Sequence, residues 1–249
     1  MNSKESNSYF QFRSFRLNQA RAAMKLGVDS MILGSWVEVS NCKRILDLGA
    51  GTGVLSLMMA QRTNAHITAI ELDELACLDA DLNFRSSPWP DRLELIQGDA
   101  VSYASRHVDP LFDAIITNPP YFERSLKSTV AHRNLARHND QLSNEQLLFC
   151  ASKLLLPNGR LQLILPAERA DRFLSEAANQ NWQVLRILNI QPKTHKPVNR
   201  RVMELSRVPG KFQEVSLVVY QGNHYSEEYI RLTESFYFKD LRANPSPRS

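Results

Sequence analysis

The 249 residues are 43% hydrophobic and 22% charged with a net charge of +4, the balance of a globular chain long enough to bury a full core and unlike that of a disordered or fibrous one. No apolar run reaches the length needed to cross a bilayer, and the start lacks the charged, apolar and small-residue sections of a secretory signal, so a cytoplasmic protein is expected. Cys42, Cys77 and Cys150 are an odd number without C-x-x-C spacing and sit in or beside apolar sequence, which predicts reduced core or near-core thiols and no structural zinc.

In chain order, residues 1–8 are polar and without periodicity, as are 243–249, and both ends are expected to fray. Phe10, Phe12 and Phe15 read as one side of a short extended arm, whereas Arg21 to Leu33 suits a helix or a loop equally well. From residue 44 onward, short apolar runs alternate with helical ones. Strands are predicted at 44–48, 66–71, 93–97, 112–117, 159–165, 183–190 and 214–220. That alternation is the signature of an α/β fold, here a seven-stranded, mainly parallel sheet with helices on both faces. Val54, Leu57 and Met58, and later Leu147, Cys150, Ala151 and Leu154, recur at the spacing of helices with one buried face. Ser86 to Pro90 and Pro157-Asn158-Gly159 read as turns. Tyr229, Leu232, Thr233 and Phe236 share a helical face, predicting a closing helix docked on the sheet.

The ends of the predicted strands carry the chemistry. Ile45-Leu46-Asp47-Leu48 leads into Gly49-Ala50-Gly51-Thr52-Gly53 and then a helical pattern, a strand, glycine turn and helix that suit a nucleotide-type ligand, with free backbone N–H groups at the helix start facing it. A dinucleotide site needs G-x-G-x-x-G, and its third glycine would fall at position 54, which is Val54; the spacing disfavours NAD. Glu71 closes the second of these strands about ~20 residues beyond the glycines, where a carboxylate can accept from ribose hydroxyls. Asp99 follows the third, within reach of an adenine amine. Either acid alone is as readily a helix N-cap; their succession along the carboxyl edge favours ligand contact. After the fourth strand comes Asn118-Pro119-Pro120-Tyr121. Two prolines fix φ and restrict the residues before them, so Asn118 and Tyr121 are presented with little freedom.

Two basic stretches follow. One runs through Arg124, Lys127, Arg133 and Arg137 with His132 and His138; the other, Lys193 to Lys211, holds Lys193, Lys196, Arg200, Arg201, Arg207 and Lys211 against only Glu204. Pro192 and Pro197 discourage regular structure at the start of the second. Either stretch alone can be a solvated face, but two on one chain suggest a polyanion partner.

Residues 44–121 resemble, in order and spacing, the Rossmann-like methyltransferases that use S-adenosylmethionine. Further segments narrow the resemblance: Met24-Lys25-Leu26-Gly27-Val28-Asp29, Leu33-Gly34, Ser87-Pro88-Trp89, Tyr225-Ser226-Glu227 and Phe236-Tyr237 are similar to those of bacterial tRNA adenine-N6 methyltransferases acting on adenosine 37 of valine tRNA. The resemblance implies a cofactor site of Asp47, Gly49, Gly51, Gly53, Glu71, Asp99 and Asn118, and a catalytic turn of Asn118, Pro119, Pro120 and Tyr121. In that turn the Asn118 oxygen and the Pro119 carbonyl would accept the two hydrogens of an adenine amine while Tyr121 stacks on the base. Lys25, Arg133, Arg137, Lys193, Lys196, Arg200 and Arg201 become candidates for contact with the anticodon loop of a tRNA, and residues 132–138 for a lid. Lys25 and Asp29 would close the pocket or form a structural salt bridge. The expected organisation is an N-terminal arm over 1–40, a methyltransferase domain over 41–240 and a flexible tail over 241–249, acting as a monomer without metal or membrane. Alternatives sharing the tetrapeptide are a glutamine methyltransferase of release factors and a guanine-N2 methyltransferase of ribosomal RNA; a third is an inert RNA-binding module.

Overall fold

The computed structural model describes residues 8–108, 111–119 and 142–243. The chain starts with a hairpin of β1 (Tyr9–Gln11) and β2 (Arg16–Asn18), followed by helix α1 (Val28–Trp36). Phe12 and Phe15 stack across the hairpin turn at 4.2 Å between ring centroids and are buried. The aromatic arm is therefore a pinned hairpin whose two rings each contribute roughly 1.5–3 kcal/mol of burial. Residues 21–33 resolve into a loop followed by α1, which buries Met31, Ile32 and Leu33.

Alternating units follow: β3 (Arg44–Leu48), α2 (Val54–Arg62), β4 (His66–Glu71), α3 (Glu74–Arg85), β5 (Leu93–Gln97), α4 (Ala100–Arg106) and β6 (Phe112–Thr117). The second half holds α5 (Asn144–Leu154), β7 (Leu155–Pro166), α6 (Ala167–Asn179), β8 (Gln183–Lys193), β9 (Arg200–Ser206), β10 (Gln213–Gln221), β11 (His224–Tyr225) and α7 (Glu227–Thr233). The main sheet has nine strands in the order β11-β10-β8-β9-β7-β6-β3-β4-β5. All neighbouring pairs are parallel except those made by β9 and β11.

The α/β class and mainly parallel sheet match the reading of the sequence, but the strand count rises from seven to nine. β9 lies in the stretch that prolines and charge marked as irregular. It runs antiparallel between β7 and β8, pairing Leu163 with Met203 on one side and Leu188 with Val202 on the other. β8 also continues through Pro192 to Lys193. β8 and β9 form one antiparallel hairpin and β10 and β11 another, with β10 parallel to β8. Pro157-Asn158-Gly159 falls inside β7, where pairing jumps from Phe112–Leu155 to Ala114–Arg160 and leaves these residues as a bulge.

Side chains alternate across β3: Ile45 and Asp47 face α2, while Leu46 and Leu48 enter the opposite core. One core layer lies under α1 and α2 and includes Phe12, Ile116, Val202 and Tyr229; the other, under α4, α5 and α6, includes Ile115, Leu163, Phe173 and Met203. The stripes Val54, Leu57, Met58 and Leu147, Cys150, Ala151, Leu154 are buried as their spacing predicts. Cys77 and Cys150 are buried and Cys42 half-buried, all three unpaired. Glu204, fully buried in β9, sits between Arg160 at 2.7 Å and Arg186 at 3.3 Å, so the lone acid of the basic stretch is the centre of an ion triad. The closing helix α7 ends at Thr233, one turn short of Phe236, which is buried beyond it. No described helix is long and apolar enough to cross a membrane.

Candidate active site

The glycine turn follows β3, and its backbone shows why the sequence needs glycine. Gly51 and Gly53 have φ of +56° and +76°, the left-handed region that costs other residues roughly 1–2 kcal/mol. A Cβ on Gly53 would lie 2.4 Å from the Phe84 ring, whereas a Cβ on Gly51 would meet nothing within 4 Å. Gly53 serves packing, and Gly51 faces open space. The turn's N–H groups are less available than the sequence suggested. Those of Gly49 and Ala50 bond the Ile70 carbonyl at 2.9 and 3.0 Å, that of Gly53 the Ala50 carbonyl at 2.9 Å, and that of Gly51 the Glu71 carboxylate at 2.7 Å.

Glu71, at the end of β4, accepts also from the N–H groups of Leu72 at 2.9 Å and Asp73 at 2.8 Å. Three of its roughly four acceptor positions are therefore spent on backbone, and one stays on the oxygen that meets Gly51. Asp99 is exposed and caps α4 through one oxygen, accepting from the Ser102 N–H at 2.7 Å. It is a helix cap, as the sequence allowed, with its second oxygen directed away from that bond. Asp47 is fully buried. One of its oxygens accepts from Ser56 N–H and Oγ at 2.9 and 2.7 Å; the other, Oδ1, has no partner. Burial pushes its carboxyl up to about 7, against the Ser56 hydrogen bonds, with the Glu71 charge adding to the rise.

Asn118 stands on the neighbouring strand end. β6 pairs with β3 in parallel, Asp47 opposite Ile116, so the turns after the two strands are side by side at the sheet spacing of about ~4.8 Å. Thr117 Oγ1 ties them together by donating to the Leu48 carbonyl at 2.7 Å. Asn118 Nδ2 donates to Ser30 Oγ at 2.9 Å, and its Oδ1 is buried without a hydrogen-bond partner. Leaving a buried acceptor unmet costs about 1–3 kcal/mol. Two such oxygens, on Asp47 in β3 and on Asn118 just past the adjacent parallel strand β6, are each left without a donor.

Asp47, Gly49, Gly51, Gly53, Glu71, Asp99, Asn118 and Pro119 thus gather along the carboxyl ends of β3 to β6. Pro120, Tyr121, Arg133 and Arg137, with Arg124, Lys127 and the proposed lid from His132 to His138, lie outside the described residues. The other basic candidates are engaged differently. Lys25 Nζ donates to the backbone carbonyls of Gln19, Ala20 and Ala22, holding the chain's own loop. Asp29 pairs with Arg200 at 3.1 Å rather than with Lys25, and burial raises its carboxyl while Arg200 opposes the rise. Arg201 meets Asp171 and donates also to Asn189 Oδ1 on β8 at 2.9 Å. Lys193 and Lys196 remain exposed on a groove shared with His195 and Tyr220. Among the described residues no cluster of three or more His, Cys, Asp or Glu could hold a metal.

The sequence did not disclose Ser30, Thr117, Ser56 or the pair Asp79 and Asn83. Asp79 on α3 accepts from the N–H groups of Arg21 and Ala22 at 2.8 and 2.9 Å. Asn83 accepts from the Asn18 N–H at 2.7 Å and donates to the carbonyls of Asn18 and Thr52 at 2.8 and 2.9 Å. Two polar residues at i, i+4 on an otherwise buried helix face were the available signal.

The family model described as the methyltransferase small domain matches residues 22–174. A tRNA1(Val) (adenine(37)-N6)-methyltransferase of Aliivibrio fischeri is 41% identical over 229 residues, 92% of this chain and 97% of that one. One of Bacteroides fragilis is 39% identical over 235 residues, 94% and 99% of the two chains. Among solved structures, a protein of Agrobacterium tumefaciens described as a predicted O-methyltransferase superposes with a TM-score of 0.65 at 21% identity, covering 83% of this chain and 96% of that one. At that identity the superposition establishes the fold.

Proposed function

Since the chain belongs to the tRNA1(Val) (adenine(37)-N6)-methyltransferase family, we propose that it moves a methyl group from S-adenosylmethionine to the N6 amine of adenosine 37 in valine tRNA. The observation that carries the chemistry is the buried, unpartnered Asn118 oxygen beside the glycine turn. The residues present suit the donor: space over Gly51 for close backbone approach, an unmet acceptor on Asp47, a remaining acceptor position on Glu71 and the second oxygen of Asp99. When bound, S-adenosylmethionine supplies a methyl on a positively charged sulfur, an excellent leaving group.

The protein's part is positioning and dipole placement. An adenine amine is a weak nucleophile because its lone pair is delocalised into the ring. Asn118 Oδ1 accepts one amine hydrogen and the Pro119 carbonyl the other, which turns the nitrogen toward tetrahedral and aims its lone pair at the methyl. Positive charge growing on that nitrogen is met by two carbonyl dipoles, and as the carbon–sulfur bond gives way to the carbon–nitrogen bond the nitrogen sheds one proton to solvent, leaving the neutral methylated amine. Tyr121 supplies a stacking face for a base outside its own stack, a requirement that suits the unstacked anticodon loop. Lys193 and Lys196 grip phosphates; Arg200 and Arg201, each with an acidic partner in the fold, contribute less than their charge suggests.

The test is transfer of radiolabelled methyl to unmodified tRNA followed by nucleoside analysis. N6-methyladenosine is expected. Label in N2-methylguanosine, or in a release-factor glutamine with none in tRNA, overturns the proposal, and no transfer in any of these assays would leave the inert RNA-binding module standing. Asn118→Ala is expected to cut turnover by about 10²–10³ while leaving donor affinity nearly intact, the loss typical of one dipole at a reacting centre.

A further inference from the structure

Building on that reading of Asn118, we propose that Ser30 is a positioning residue for methyl transfer: its hydroxyl takes the nitrogen edge of the Asn118 amide, so that the oxygen edge meets the substrate amine. A primary amide offers two chemically opposite edges, two N–H donors or a carbonyl acceptor, in nearly the same shape. Only the oxygen edge can accept from an amine. An amide turned the other way would place donors against the amine's hydrogens and block the reaction. Ser30 Oγ lies 2.9 Å from Asn118 Nδ2, and the Asn118 oxygen is left without a partner.

A hydroxyl can accept from the nitrogen edge or donate to the oxygen edge; here Nδ2 is the donor, and the hydroxyl is held in place because α1 is fixed at both ends. Ser30 is 8% exposed in the first turn of that helix. Its neighbour Asp29 pairs with Arg200 at the start of β9, and Met31, Ile32 and Leu33 are buried in the core. At the other end Arg62 bonds the carbonyls of Gly34 and Val37 at 2.7 and 2.8 Å. The hydroxyl beside Asn118 in sequence, on Thr117, is already committed to Leu48. A segment 88 residues earlier in the chain thus sets which face of the reacting turn is shown.

Steady-state kinetics on unmodified tRNA with Ser30→Ala, Ser30→Thr, Asn118→Ala and the Ser30→Ala/Asn118→Ala double variant test this. Ser30→Ala is expected to lower kcat about tenfold, the factor matching the net worth of one hydrogen bond, with both KM values unchanged. Ser30→Thr keeps the hydroxyl and is expected to restore kcat. With Asn118 already truncated, Ser30→Ala should cost nothing more, since there is no amide left to orient. Multiplicative losses in the double variant, wild-type kcat in Ser30→Ala, or a Ser30→Thr loss equal to that of Ser30→Ala would overturn the role of Ser30. Full turnover by Asn118→Ala would instead overturn the reading of Asn118 on which it rests. If Ser30→Ala does not fold, Ser30→Cys, close in shape but a weak acceptor, takes its place under the same outcomes.

Discussion

Gly51 and Gly53 share a backbone conformation but not a surrounding, and replacing each with alanine separates what the turn does for the fold from what it does for a ligand. At Gly51 the left-handed φ of +56° costs alanine roughly 1–2 kcal/mol. The stiffer unfolded chain returns about 0.4–1 kcal/mol, and the new methyl meets no atom within 4 Å. The net loss is about 1 kcal/mol, or roughly 2–4 °C in Tm for a chain of this size. At Gly53 the same backbone term is joined by a methyl 2.4 Å from the Phe84 ring, itself 4% exposed and with little room to yield. Overpacking adds about 1–3 kcal/mol, for a total near ~2–4 kcal/mol. Thermal melts and calorimetry with S-adenosylmethionine check both. Gly53→Ala is expected to melt several degrees below Gly51→Ala, while Gly51→Ala, with its methyl over the open face, loses at least about tenfold in donor affinity. If both variants are equally destabilised and Gly51→Ala binds donor like the wild type, the open face at Gly51 is not where the donor lies.

Other expectations concern charge. A carboxyl whose pKa rises on folding favours the native state most when protonated, so the Asp47 contribution to stability is full below its ordinary value of 3.8 and is lost as pH climbs toward about 7. Asp47→Asn should flatten denaturation midpoints across that window; parallel profiles for the two proteins would place the burial effect elsewhere. Glu204→Ala leaves the half-exposed Arg160 and Arg186 facing each other across the vacated site, with an expected loss of about 1–3 kcal/mol by urea denaturation; a change below measurement error would mean that solvent replaces the carboxylate for both arginines. Replacing Lys193 and Lys196 with alanine should weaken tRNA binding for all sequences and lower the salt slope by about one per residue without moving Tm, and an unchanged slope would remove this groove from the RNA interface.

Four strands, from residue 44 to residue 117, have the bounds their apolar runs predicted, because short runs between glycine turns and helix caps leave little choice of register. β9 was hidden. A strand buried on both faces has no alternation to betray it, and Arg200, Arg201 and Glu204 gave it the composition of a loop. Their partners, Asp29, Asp171, Arg160 and Arg186, lie far off in the sequence, and a charge count along the chain cannot register neutralisation across the fold. The same limit governs the site. Asn118 was marked in the sequence by its adjacent prolines; Ser30, its hydrogen-bond partner, was not, since only folding brings the two together.

Asn83 spends both amide hydrogens and its oxygen in one act, clasping Asn18 on one side and Thr52 in the glycine turn on the other. Through that single side chain the entry hairpin and the glycine turn share one free energy. Linkage is reciprocal: whatever tightens the turn must slow amide exchange near Asn18, and whatever peels the hairpin away must loosen the turn, so residues 8–20 belong to its ordering as fully as the glycines do.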